Sequence, residues 1–145
     1  MKRTLLMLVL FGSLKVFSQE NNTIHCPTGR TYTKPQVAPT FGVDESALQT
    51  FFDSSFAQIQ KTKCKISLTL LIDSSGKASC NWIDVDTPSG IEEKTIKEII
   101  ASMPNWTPGK QGKCDVAVAI PITLELTKKN TKVLYKKNQT TAKPI

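Results

Sequence analysis

A chain of 145 residues is one domain at most. Its net charge of +7 is carried by the two ends, with Lys2, Arg3 and Lys15 at one and six lysines and no acid between Lys128 and Ile145 at the other. Residues 19–127 hold ten basic and twelve acidic side chains and stand at −2, which excludes the basic patch of a nucleic-acid binder.

In chain order, the first predicted feature is a secretory signal over residues 1–18. Lys2 and Arg3 precede an apolar run from Thr4 to Leu14, and Val16 and Ser18 stand three and one before an expected cleavage point at Gln19. The run is short for a membrane span, which takes about 20 apolar residues. Export implies an oxidising compartment, so the mature chain is expected in the periplasm or secreted. Residues 19–40, with Pro27, Pro35 and Pro39 and no period, read as an irregular arm. Asp44 then offers an N-cap for a helix whose Leu48, Phe51, Phe52, Ser55, Phe56 and Ile59 share one stripe.

Cys64 to Ile72 alternates apolar and polar residues, Asp73-Ser74-Ser75-Gly76 turns the chain, and Lys77 to Val85 returns it as the second strand of a hairpin. A second helix follows, with Ser89 and Glu92 at capping-box spacing, Ile91, Thr95, Ile96, Ile99, Ile100 and Met103 on one face, and a stop at Pro104. The stretch MPNWTPGKQGK, residues 103–113, separates that helix from a long alternating strand, Cys114 to Leu126. Pro121 cannot donate to a ladder, which puts this last strand at an edge or a bulge into it. Helix, strand, strand, helix, strand with a right-handed crossover gives a two-layer α+β fold. The expected sheet is three-stranded, antiparallel and ordered 2-1-3, with two helices on one face, in a domain spanning residues 41–127. Residues 128–145 form a basic flexible tail, either a solvated extension or a contact for an anionic membrane.

Trp106 admits two readings: a packing residue over the helix end, or part of a recognition surface with Lys110 and Lys113. Cys26, Cys64, Cys80 and Cys114 are disulfide candidates. Their spacings contain no C-x-x-C pair and His25 is the one histidine, so no metal site is expected and no cofactor is implied. No phosphate loop and no Ser-His-Asp arrangement occurs, Asp84 and Asp86 end a strand where acids commonly solvate a loop, and the chain is not expected to be an enzyme.

MPNWTPGKQGK running into VAVAIPITLEL resembles the corner and last strand of the C-terminal domain of TonB-type energy transducers. PTFGVDESALQTFF is similar to that family's entry into its first helix, and LIDSSGKASCNWIDV fits its strand-turn-strand unit. The region of the family's Gln-Pro-x-Tyr-Pro segment is occupied by Gln36 to Phe41, without the tyrosine. The resemblance covers about residues 36–127 and implies a periplasmic module of a Gram-negative bacterium that binds a segment of an outer-membrane receptor, in connection with TonB-dependent transport. The implied mode is strand addition. It would use the edge of Cys114 to Leu126, with Asp115, Ala117, Ala119, Pro121 and Thr123 as binding residues beside Trp106, Lys110 and Lys113. Such an edge also allows two copies to pair. A membrane-anchored transducer with an uncleaved signal, and a disulfide-stapled structural module without a peptide ligand, are the alternatives.

With Ser74 and Ser75 as the turn, Cys80 faces Thr69 and Cys64 faces Val85, about 16 Å apart at strand rise. A disulfide needs Cα atoms within about 7 Å. Cys64 and Cys114 begin antiparallel strands and fall at opposite ends, leaving Cys26 with Cys64 and Cys80 with Cys114 as the expected pairs.

Overall fold

The computed structural model describes residues 24–44, 46–59, 63–86, 90–127 and 129–135. The expected signal, Ser89 of the capping box and the last ten residues lie outside them. In chain order the elements are β1 (Thr31–Tyr32), α1 (Ser46–Phe56), β2 (Cys64–Ile72), β3 (Ala78–Val85), α2 (Glu93–Ala101), β4 (Gly109–Gln111), β5 (Cys114–Leu126) and β6 (Thr131–Tyr135).

The expected three-stranded antiparallel sheet is corrected to a six-stranded mixed sheet with two helices. β2 pairs antiparallel with β3 on one side and β5 on the other, β1 and β6 add to the far side of β5, and β4 pairs with residues 114–116 of β5 beyond the end of β2. β1 runs parallel to β5. These three additions are two to five residues long, too short for alternation to mark them, and two come from stretches read as arm and tail.

α1 forms because Asp44 Oδ1 accepts the amides of Ser46 at 2.8 Å and Ala47 at 3.0 Å, satisfying donors that the helix start leaves open. Leu48, Phe52 and Phe56 then recur every fourth residue and are buried. Burying each phenylalanine stabilises the fold by about 2–3 kcal/mol. α2 starts at Glu93, with Glu92 as an N-cap that makes no side-chain cap bond, and buries Ile96 and Ile100. Both helices contribute these residues to the same core as the alternate side chains Cys64, Ile66, Leu68, Leu70 and Ile72 of β2 and Val116, Val118, Ile120, Ile122, Leu124 and Leu126 of β5.

The β2–β3 turn is longer than the two-residue turn assumed from sequence. Asp73 Oδ1 accepts from the amides of Ser75 (2.8 Å) and Lys77 (2.9 Å), and Gly76 takes φ +86°. Ile72 therefore faces Ala78 and Cys80 faces Leu70, until a bulge at Asn81 puts Trp82 opposite Thr69. The bulge keeps Ala78, Ile83 and Val85 on the helix-covered side and turns Trp82 and Asp84 to the opposite face with Thr69 and Ser67.

Candidate binding surfaces

The corner resolves as packing. Trp106 is 3% exposed, its ring lies 5.1 Å from that of Phe41, and its amide donates to the Gly76 carbonyl at 2.8 Å. A Cβ at Gly76 would stand 2.0 Å from the Trp106 carbonyl oxygen, so the hairpin turn and the corner seat against each other only with glycine there. Thr40 and Thr107 exchange backbone bonds at 3.0 and 2.9 Å, as do Val37 and Lys110 at 3.0 and 2.9 Å. Gln36 clasps the β4–β5 turn, with its Oε1 accepting from the Gly112 amide (2.7 Å) and its own amide donating to Gln111 Oε1 (3.2 Å). The stretch expected as an irregular arm is thus bonded to the corner from Gln36 to Thr40. Beside it, Phe41, Ala47, Phe51 and Pro104 line an open groove of about 700 Å³.

Lys110, expected beside Trp106 in a recognition surface, pairs its Nζ with Asp115 Oδ1 at 2.6 Å. Lys113 is exposed in the turn. Ala117, Ala119, Pro121 and Thr123 line the face of β5 away from the helices, opposite Thr31, Leu71, Thr69 and Ser67 respectively on the adjoining strands.

The edge expected at β5 is covered in part. Gly109–Gln111 pairs with residues 114–116 on the side that β2 takes further along, and on the outer side Thr31–Tyr32 covers 117–118 and Thr131–Tyr135 covers 122–126. Pro121 falls between the last two, so its missing N–H deprives no described partner. The outer flank of β6 is closed in turn by α1. Gln49 Oε1 accepts from the Val133 amide at 2.9 Å, Gln49 Nε2 donates to the Thr131 carbonyl, and Asp53 Oδ1 accepts from the Thr131 amide at 2.6 Å. A side-chain carboxamide one helical turn from a carboxylate does here what another strand would do.

The opposite margin of the sheet differs. Asp86, directly opposite Lys65 in the β2–β3 register, donates its amide to the Lys65 carbonyl at 2.8 Å. In an antiparallel ladder successive residues point their backbone groups to opposite sides. Asp84 therefore points inward as Asp86 does, and both polar groups of Ile83 and of Val85 point outward. No described strand pairs with them. On the open face of the same strand Trp82 is 55% exposed. Beside it Lys65, Ser67, Asp84, Val85 and Asp86 line a hollow of about 400 Å³. Among the described residues neither Asp84 nor Asp86 makes an ion pair. None of Trp82, Ile83 and Val85 had been singled out for binding. The signal available was Asn81-Trp82 between core positions 80 and 83, an extra residue in the alternation that marks a bulged strand.

The cysteine pairing is corrected too. Cys26 bonds to Cys114, with Cα atoms 5.5 Å apart, while Cys64 and Cys80 are free. Cys26 could reach Cys114 because β1 lies along β5 just beyond its first residues. Cys80 belongs to the far margin, two strands from β5. Burial pushes the Cys64 thiol up from its ordinary pKa, with Asp86 adding to the rise, and burial also raises that of Cys80 against the opposing pull of Lys97. Among the described residues no group of three histidine, cysteine or acidic side chains is placed to hold a metal. No helix among them is long and apolar enough to cross a membrane.

No protein-family model matches the chain, and neither the curated proteins nor the solved structures contain a match.

Proposed function

We propose that the chain is a binding module of the cell envelope, of the TonB C-terminal type, that holds an extended segment of another envelope protein by strand addition. An outer-membrane receptor is the expected partner. The observation that carries the reading is the unpaired margin of β3, where the backbone groups of Ile83 and Val85 point outward beside a half-exposed tryptophan. The resemblance lends support through the contact between its two main segments, since Phe41 of the helix entry packs on Trp106 of the corner. Relative to the family's implied mode, the accepting strand moves from β5 to β3, because β5 is already flanked by the chain itself. The exposed margin also remains the place where two copies could pair.

An amide NMR titration of the oxidised protein with peptides copied from the N-terminal segments of outer-membrane receptors tests it. The expected result is shifts centred on Ile83 and Val85 with protection of their amides from exchange. Shifts confined to the groove beside Phe41, or silence across the panel, would reject it. The closed flank of β5 and the Cys26–Cys114 bond favour one second reading, a stapled structural module without a peptide ligand. Silence in the same titration is its expected result.

A further inference from the structure

Resting on that reading, we infer that the segment accepted by β3 carries an arginine flanked by apolar residues, with the guanidinium seated between Trp82 and the hollow formed by Asp84, Asp86, Ser67 and Lys65. The inference comes from the side chains of the accepting strand.

The bulge at Asn81 interrupts β3, so a regular ladder can be added only along Trp82–Val85. With Ile83 and Val85 as the bonded positions, an antiparallel segment places its own residues opposite them, and its side chains there lie on the helix-covered side. Ile83 and Val85 are half-buried on that side, packed against the core. Apolar side chains on the added strand would extend that packing.

The residue between them lies opposite Asp84 on the open face, in a pair without direct backbone bonds, where side chains come closest. There it meets a half-exposed indole and two carboxylates that make no ion pair among the described residues. Lys65 forms part of the same hollow and leaves one net negative charge, which one incoming cation neutralises. Of the lysines nearby, Lys97 pairs with Glu93 at 2.5 Å near Cys80 on the opposite face and Lys77 lies at the far end of the strand, while Glu125, opposite Lys65 in the β2–β5 register, adds negative charge on the same face. Arginine fits better than lysine, because its planar fork takes a carboxylate in two bonds and its face stacks on an indole.

The test uses the full oxidised protein and two probes, acetyl-Ser-Val-Arg-Val-Thr-Ser-amide and the same peptide with glutamate for arginine, titrated by NMR. The arginine peptide is expected to bind at least about five-fold tighter, with the ratio shrinking as ionic strength rises. Asp84→Asn and Trp82→Ala should each cut that ratio by about two- to five-fold, and Lys34→Ala, an exposed residue just after β1, should leave it unchanged. If both peptides bind equally, with the Ile83 and Val85 amides shifting, the arginine inference fails and strand addition stands. If neither binds, strand addition on β3 fails and the inference falls with it.

Discussion

Replacing Gln49 by alanine should open the β5–β6 margin without unfolding the core. The carboxamide makes three contacts: it accepts from Val133 N, donates to Thr131 O and donates to Asp53 Oδ2 at 3.1 Å. Thr131 is 1% exposed, so its carbonyl loses its helix-side partner where water does not readily replace it, a cost of about 1–3 kcal/mol. Val133 is half-buried and water can recover part of its bond, adding about 0.5–1 kcal/mol. The sum, about 1.5–4 kcal/mol, corresponds to an amide exchange at Val133 roughly 10- to 1,000-fold faster and a melting temperature lower by roughly 5–15 °C. Gln49→Glu should cost at least as much, because it sets a second carboxylate beside Asp53 and keeps no donor for Thr131. Hydrogen exchange followed by NMR, together with a thermal melt, measures both effects. An alanine variant with Val133 exchange unchanged and the melt within a degree or two of the parent would refute the view that α1 side chains seal this flank.

Trp106→Ala should destabilise by about 3–5 kcal/mol in a denaturant melt. Trp106→Phe should cost less than half as much, since the buried indole N–H has no hydrogen-bond partner among the described residues to lose. Reduction of Cys26–Cys114, which spans 88 residues of sequence, should lower stability by about 2–4 kcal/mol, read as the midpoint difference between oxidised and reduced protein. In the native protein a thiol reagent should label half-buried Cys80 before buried Cys64, and both more slowly than a free cysteine at the same pH, because burial raises both thiols. Hydrogen bonds from Ser46 and Ser75 hold the Asp44 and Asp73 carboxyls below the ordinary value of 3.8. Their folded-state pKa is depressed, so the stabilisation is complete above 3.8 and disappears as pH falls through the lowered values. Melts across that range should show a steeper acid limb in the parent than in Asp73→Asn.

The long elements were legible because their signals are periodic. β2 and β5 alternate over nine and thirteen residues, and α1 and α2 repeat apolar residues at helical spacing. β1, β4 and β6 were not, because a strand of two to five residues carries too few turns of the pattern and depends on the neighbour it meets. That gap misled the site. Pro121 marked a strand with one incomplete flank, which alternation alone reads as an edge, whereas β1 and β6 cover β5 on either side of the proline. The disulfide followed the same error, since only the parallel placement of β1 brings Cys26 to the start of β5. Asp44 as a cap and Gly76 as a turn residue were readable one by one, because each acts within a few residues of itself. The clasp of Gln49 on β6 joins residues more than eighty positions apart and leaves no local trace.

The most direct measurement is the affinity of one bound peptide for the parent protein and for Ile83→Pro. Proline removes an outward N–H that no described residue accepts and is tolerated on an edge strand, so the fold should survive, with a loss of about 1–2 kcal/mol from the half-buried Ile83 side chain that Ile83→Ala shares. Strand addition on β3 predicts that the peptide is lost from the variant and that the Val85 amide no longer shifts. Unchanged affinity in a folded Ile83→Pro protein would contradict it.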